Sequence, residues 1–71
     1  MDSKILVIGS SGQIGTELVL KLREIYGNNN VIASDIRKGN YEVMESGPFE
    51  FLDVTHKDDV LEVLEKHQIT E

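Results

Sequence analysis

Lys4-Ile5-Leu6-Val7-Ile8-Gly9-Ser10-Ser11-Gly12-Gln13-Ile14-Gly15 decides how this chain folds. From Lys4 to Ile8 the run is aliphatic and β-branched without alternation, then stops abruptly at Gly9. A short unbroken apolar run of this kind fits a strand buried on both faces, as in a parallel sheet covered by helices. Beyond the glycines, Ile14, Leu18, Leu22 and Ile25 recur at spacings of four, four and three. This predicts a helix with those residues as its apolar face and Glu17, Lys21, Arg23 and Glu24 around them. Gly27-Asn28-Asn29-Asn30 stops the helix, because glycine and asparagine tolerate the left-handed conformation of a helix end.

Val31 to Ser34 reads as a second strand that delivers Asp35 at its carboxyl end. Residues 36–48 carry no convincing period and close on Gly47-Pro48, a loop signal. Phe49 to Leu52 is a third short strand, delivering Asp53. Thr55 with Asp58 three residues on predicts a capping box, aspartate standing in for the usual glutamate. Val60, Leu61, Val63 and Leu64 would line one face of the final helix, and Asp59, Glu62, Glu65 and Lys66 the other. The order β-α-β-loop-β-α over residues 1–71 is that of an α/β protein. Parallel strands joined by right-handed helical crossovers make it the first half of a Rossmann-like, doubly wound parallel sheet.

Composition bounds this reading. Seventy-one residues with 39% apolar side chains are enough for one small globular unit and too apolar for a disordered tail. A chain below about 70–80 residues seldom completes its own core, and with no cysteine there is no disulfide to help. The expectation is a chain that self-associates or that lacks a carboxyl-terminal half. The first strand would be central in the full sheet, so without a fourth strand it is left as an apolar edge. The net charge of −6 argues against a nucleic-acid partner. Most of it lies in residues 49–71, with seven acids against two bases, which reads as the solvated face of the last helix. The longest apolar run, Ile5 to Ile8, is far too short to cross a membrane, and Met1-Asp2-Ser3-Lys4 lacks a signal peptide's basic start. A cytoplasmic location is expected.

The three glycines carry the chemistry. Each has a task in a dinucleotide-binding turn: Gly9 for the turn off the strand, Gly12 for close approach of the pyrophosphate, Gly15 for close packing of helix on sheet. The free N–H groups around Gln13 and Ile14, at the positive end of the helix dipole, would face the phosphates. Ser10 or Ser11 could add a hydroxyl. The spacing is G-x-x-G-x-x-G rather than the tighter G-x-G-x-x-G, but Asp35 falls 20 residues after Gly15, where a carboxylate binds ribose hydroxyls. That carboxylate would repel a 2′-phosphate, so NAD is favoured over NADP. Arg37 is read as packing near the adenine or as surface charge. Asp53 would accept from the adenine amino group between Leu52 and Val54, or else help to start the last helix beside Thr55. His56 and His67 are eleven residues apart with no acid at ligand spacing, so no metal site is expected. Neither Tyr26 nor Tyr41 has a lysine four residues on, and no glycine-flanked serine elbow or phosphate-loop lysine occurs. No catalytic residue is assigned.

The string G-S-S-G-Q-I-G, the aspartate after the second strand and D-V after the third resemble the extended short-chain dehydrogenase/reductase superfamily. G-Q-I-G-T-E-L at 12–18, A-S-D-I-R-K at 33–38 and S-G-P-F-E at 46–50 are most similar to its NAD-dependent, epimerase-like L-threonine dehydrogenases. Ile8 departs from the threonine often found there. The resemblance implies that Gly9, Gly12, Gln13, Ile14 and Gly15 contact the pyrophosphate. It places Asp35, Ile36 and Arg37 around the adenosine ribose, and Leu52, Asp53 and Val54 around the adenine. It also implies that the family's catalytic serine or threonine, its Y-x-x-x-K pair and its substrate domain lie beyond residue 71. Two rival readings are part of a nucleotide-sugar epimerase or dehydratase, and a non-catalytic dinucleotide-binding or interaction module.

Overall fold

The computed structural model describes residues 3–71, so the part of the amino-terminal reading that rests on Met1 and Asp2 lies outside the described residues. Strand β1 (Ile5–Ile8) leads into helix α1 (Gln13–Tyr26), and a 3₁₀ turn (Asn28–Asn30) into β2 (Val31–Asp35). Helix α2 (Tyr41–Ser46), strand β3 (Phe49–Phe51) and helix α3 (Lys57–Lys66) follow. The three strands form one parallel sheet in the order β1-β2-β3. Among the described residues no helix is long and apolar enough to cross a membrane.

The register pairs Ile5 with Val31, Val7 with Ala33 and Ala33 with Phe49, so these side chains share one face. Val7, Val31 and Ala33 pack there with Val19 of α1 and Val43 of α2 to form the core. On the other face lie Ile32 and, through the pairing of Ser34 with Glu50, the residue that binds Lys66 and His67 at the end of α3. Helix α3 therefore covers that face, with Val63 and Leu52 buried alongside Ile32.

The predicted apolar face of α1 is not the one that packs. Ile14, Leu18 and Ile25 are 82%, 47% and 62% exposed, and only Leu22 of that set joins the core. The buried line is Thr16, Val19 and Arg23. The rotation of the helix explains this. A Cβ on Gly15 would lie 2.3 Å from the Gly9 carbonyl oxygen, so Gly15 is pressed against the end of β1. With 3.6 residues per turn, that contact turns Val19 and Leu22 inward and Ile14, Leu18 and Ile25 outward.

Arg23, grouped from sequence with the charged residues around the apolar face of α1, is 2% exposed. Its Nε donates to the Val31 carbonyl at 3.1 Å, Nη1 to the Val43 carbonyl at 2.7 Å and the Ser46 hydroxyl at 2.9 Å, and Nη2 to the Pro48 carbonyl at 2.6 Å. The guanidinium fork thus ties α1 to β2, to α2 and to the start of β3. Gly47 makes room for it, since a Cβ there would stand 2.8 Å from the Arg23 Cζ.

Two further expectations are corrected. Residues 36–48 contain α2, six residues long and capped by the Asn40 side chain, which accepts from the Val43 N–H at 2.9 Å. One and a half turns with a single buried residue, Val43, leave too little period to read. The capping box does not form: His56 is the N-cap of α3, without a side-chain cap bond, and the Thr55 hydroxyl donates to Asp53 Oδ1 instead. Asp58 and Asp59 sit in the first turn, where their charge suits the helix dipole. On the predicted face Val63 is buried, Val60 and Leu64 are half-buried, and Leu61 is exposed.

The outer edge of β1 is partly covered. Beyond the C-cap of α3, His67, Gln68 adopts the left-handed region (φ 54°), and the Ile69 N–H closes the turn on the Leu64 carbonyl at 3.0 Å. The Glu71 N–H then donates to the Lys4 carbonyl and the Leu6 N–H to the Glu71 carbonyl, both at 3.0 Å. One residue bonded on either side of Ile5 in this way is the pattern of parallel pairing. Only the Ile8 end of the edge is left bare.

Candidate functional site

The carboxyl ends of β1 and β2 meet through a set of short hydrogen bonds. The Gly9 and Ser10 N–H groups both donate to the Ser34 carbonyl, at 2.9 and 3.0 Å, and the Ser10 hydroxyl reaches the same oxygen at 3.1 Å. The Ser34 hydroxyl donates to the Val7 carbonyl at 2.8 Å and the Thr16 hydroxyl to the Ser10 carbonyl at 3.0 Å. Ser10 and Ser34 are fully buried, and all their hydroxyls are satisfied within the chain. Sequence reading missed this rivet. Its one visible signal was Ser34, a polar residue inside an otherwise apolar strand.

The chain's own packing accounts for two of the three glycines. Gly9 has φ +80°, a conformation that side chains rarely adopt, and Gly15 has no room for a Cβ. Gly12 is different. Its backbone is extended (φ −77°, ψ 170°), and a Cβ would find nothing nearer than the Gly9 carbonyl oxygen at 4.0 Å. A side chain at position 12 would project into open space at the start of α1. The first helical bond runs from the Thr16 N–H to the Gly12 carbonyl, so the N–H groups of Gln13, Ile14 and Gly15 have no partner within the helix. Gly12 supplies no side-chain cap, and no acid lies in the first turn. This is a surface suited to an anion.

Asp35 stands opposite. Its Oδ2 accepts the Ser11 N–H at 2.9 Å, and its Oδ1 accepts the N–H groups of Ile36 at 2.7 Å and Arg37 at 3.4 Å. The Ser11 N–H above all, then the Ile36 and Arg37 N–H groups and the Arg37 charge, hold the carboxyl below its ordinary value against a smaller opposing effect of burial. A carboxylate has about four lone-pair sites, so Oδ2 keeps room for a hydroxyl donor. The Ser11 hydroxyl donates to the Arg37 carbonyl at 2.7 Å. The Arg37 side chain is exposed beside Asp35.

A cavity of about 320 Å³ opens at this end of the sheet, lined by Ile8, Gly9, Asp35, Ile36, Leu52, Asp53, Val54 and Thr55. Asp53 is fixed on its wall, with Oδ1 accepting the Thr55 N–H at 2.9 Å and the Thr55 hydroxyl at 2.6 Å. Those two bonds hold its carboxyl below the ordinary range. The fold thus brings Gly9, Asp35, Ile36, Leu52, Asp53 and Val54 around one hollow. Ser11 and Arg37 are tied to Asp35 on its wall, whereas Gly12, Gln13, Ile14 and Gly15 follow at the start of α1 and do not line it. Ile8 and Thr55 line it too and were not singled out from sequence.

Neither tyrosine lies in the hollow. Tyr26 is the last residue of the 14-residue helix α1, about 20 Å along its axis from the glycines. Tyr41 starts α2 and faces solvent. His67 Nε2 and Lys66 Nζ both bind Glu50 Oε2, at 2.6 and 2.9 Å, on the face of the sheet that α3 covers, and none of the three lines the hollow. Among the described residues no group of three or more metal-ligating side chains is gathered.

Known proteins resemble this chain in sequence and fold. The chain is 49% identical to an L-threonine dehydrogenase from Clostridium difficile, with a TM-score of 0.89 over 96% of this chain and 22% of that one. It is 43% identical to the holo form of an L-threonine dehydrogenase from Cupriavidus necator, with a TM-score of 0.86 over 94% of this chain and 21% of that one. Among curated proteins it is 52% identical over 63 residues to an uncharacterized epimerase/dehydratase of Staphylococcus haemolyticus, covering 87% of this chain and 20% of that protein. A Staphylococcus aureus relative of the same description is 53% identical over 62 residues. The chain thus spans about a fifth of the length of the curated relatives it matches. Residues 5–71, from the first strand through the glycine turn to the last pairing on β1, match the model of one family, and the chain belongs to it: the NAD dependent epimerase/dehydratase family.

Proposed function

We propose that this chain is the NAD-holding part of an oxidoreductase similar to L-threonine dehydrogenase. The observation that carries this is the contrast among the glycines: Gly9 and Gly15 are demanded by the fold, whereas Gly12 leaves space that nothing in the chain uses. Pyrophosphate would lie against the N–H groups of Gly12 to Gly15, where the helix dipole favours negative charge. Asp35 would accept an adenosine ribose hydroxyl, with Ile36 and Arg37 beside it. Leu52 and Val54 would wall the adenine, and Asp53 would accept from its amino group. NAD, when bound, supplies the acceptor for a hydride. The residues of this chain bind it, orient it and exclude its 2′-phosphorylated relative.

Turnover needs more. Removing the hydroxyl proton of L-threonine as hydride leaves its carbon calls for a base, and no tyrosine–lysine pair occurs in these 71 residues. We infer that the chain alone does not turn over. The names of the Staphylococcus relatives support a second reading, part of an epimerase or dehydratase, which would use the same cofactor-holding residues. The test of binding is calorimetric titration with NAD and with NADP. NAD should bind more tightly, and Asp35→Ala should narrow the difference. Equal binding of both by the unaltered chain would remove Asp35 from the site.

A further inference from the structure

We propose that Ser11 is the positioning residue that sets the cofactor preference of this site. The inference rests on the NAD reading and assigns a role within it. The other contacts of the glycine turn with β2, from Gly9 and Ser10, all end on the single carbonyl of Ser34. Ser11 reaches further along the chain. Its N–H holds Asp35 Oδ2 at 2.9 Å, and its hydroxyl holds the Arg37 carbonyl, 26 residues away in sequence, at 2.7 Å.

The second bond matters because of what the segment after Asp35 does. The Ile36 and Arg37 N–H groups hold Asp35 Oδ1, so the direction of the carboxylate depends on the course of that backbone. The Ser11 hydroxyl fixes this course by pinning the carbonyl of residue 37. Arg37 and Lys38, both exposed, are the cations next to Asp35 along the chain. A 2′-phosphate would need such cations to turn toward it and the carboxylate to turn away. With Ser11 in place the carboxylate is presented and the arginine backbone is held. Without the hydroxyl, the backbone held at Arg37 relaxes and with it the aim of the Asp35 carboxylate, through which the preference is set.

The experiment is titration of the unaltered chain, Ser11→Ala, Ser11→Thr, Asp35→Ala and Ser11→Ala/Asp35→Ala with NAD and NADP. Ser11→Ala should bind NAD about two- to tenfold more weakly, the worth of one net hydrogen bond. It should lose less toward NADP, so the ratio of the two affinities narrows. Ser11→Thr keeps the hydroxyl and should restore both. In the double variant the ratio should equal that of Asp35→Ala alone, because Ser11 acts through Asp35. A ratio of affinities does not depend on the fraction of molecules folded. Three results would overturn the proposal: an unchanged ratio in Ser11→Ala, a further change in the double variant, or no rescue by threonine. Collapse of the fold in Ser11→Ala would overturn it too, since the hydroxyl would then be holding the loop and not the preference. If the unaltered chain bound neither cofactor, the NAD reading would fall and this proposal with it; NAD binding with an insensitive ratio removes Ser11 alone.

Discussion

Gly15 stands so close to Gly9 that a Cβ on the first would lie 2.3 Å from the carbonyl oxygen of the second and 2.9 Å from the Cα of Ser10. The obstacle is backbone, held in place by the bonds of Gly9 and Ser10 to Ser34, so it cannot swing aside as a side chain would. Gly15→Ala must push α1 off the sheet, and with it Val19 from the core. The expected cost is about 3 kcal/mol, enough to leave a chain of this size largely unfolded. Circular dichroism during urea titration checks this, and a midpoint equal to that of the unaltered chain would refute the contact.

Arg23 makes a similar case on the other side of α1. Replacing it with methionine keeps the apolar stem but strands the carbonyls of Val31 and Val43 in the interior without their donor, while the Pro48 carbonyl keeps only the Ala33 N–H. Each buried acceptor left unpaired costs about 1–3 kcal/mol, so Arg23→Met should destabilise by about 3 kcal/mol or more. Arg23→Lys should recover part of this, because an ammonium has three donors but not the reach of the fork. Equal stability of the methionine variant and the unaltered chain would mean that these bonds carry no net weight.

These two residues also mark what the sequence could and could not reveal. The strands, α1, α3 and the glycine turn were legible because unbroken apolar runs and turn residues report local structure directly. The order of the sheet followed from the doubly wound topology, in which the first strand is central. The rotation of α1 was not legible: Ile14, Leu18, Leu22 and Ile25 make a better helical stripe than Thr16, Val19 and Arg23, yet the Gly15 contact decides which line faces inward. Arg23, between Leu22 and Glu24, looks like any surface cation until the carbonyls that surround it are brought in from β2, α2 and the Pro48 turn. In the candidate site, Gly9, Asp35 and Asp53 could be picked out from their position at strand ends, and Gly12 and Gly15 from the glycine spacing of the turn into α1. The links of Ser11 to Asp35 and Arg37 were not, because they join residues 24 and 26 positions apart.

Acid should weaken the grip of β3 on the end of α3. The Lys66 ammonium first, and His67 next, hold the Glu50 carboxyl below its ordinary value of 4.5, against a smaller effect of burial. A carboxyl lowered in the folded state contributes stability above its unfolded value and loses it as pH falls through the folded value. Glu50→Gln should therefore lower the melting temperature by about 2–5 °C at pH 7, and the gap should close as pH drops below 4.5. A gap that stays constant from pH 7 to pH 3 would mean that Glu50 acts by packing and not by charge.

Ile14, Leu18 and Ile25 leave an apolar stripe on the outside of α1, and Ile8 ends the part of the β1 edge that Glu71 does not reach. Apolar faces and strand ends of this kind pair with other chains. The chain should associate as its concentration rises, and Leu18→Lys should reduce the association without loss of the fold. Sedimentation at several concentrations measures this. A single monomeric mass throughout would show that the stripe is tolerated in water.

The most direct measurement concerns Gly12. Serine there meets no obstacle in the chain and is a better N-cap than most residues, so Gly12→Ser should melt at the same temperature as the unaltered chain or higher. Its side chain would occupy the space next to the N–H groups of Gln13 and Ile14, where the pyrophosphate is proposed to lie. Calorimetric titration should then show NAD binding to the unaltered chain and at least about tenfold weaker binding to Gly12→Ser, a difference of about 1.4 kcal/mol. If the folded serine variant bound NAD as tightly as the unaltered chain, the open space at Gly12 would not be a pyrophosphate site.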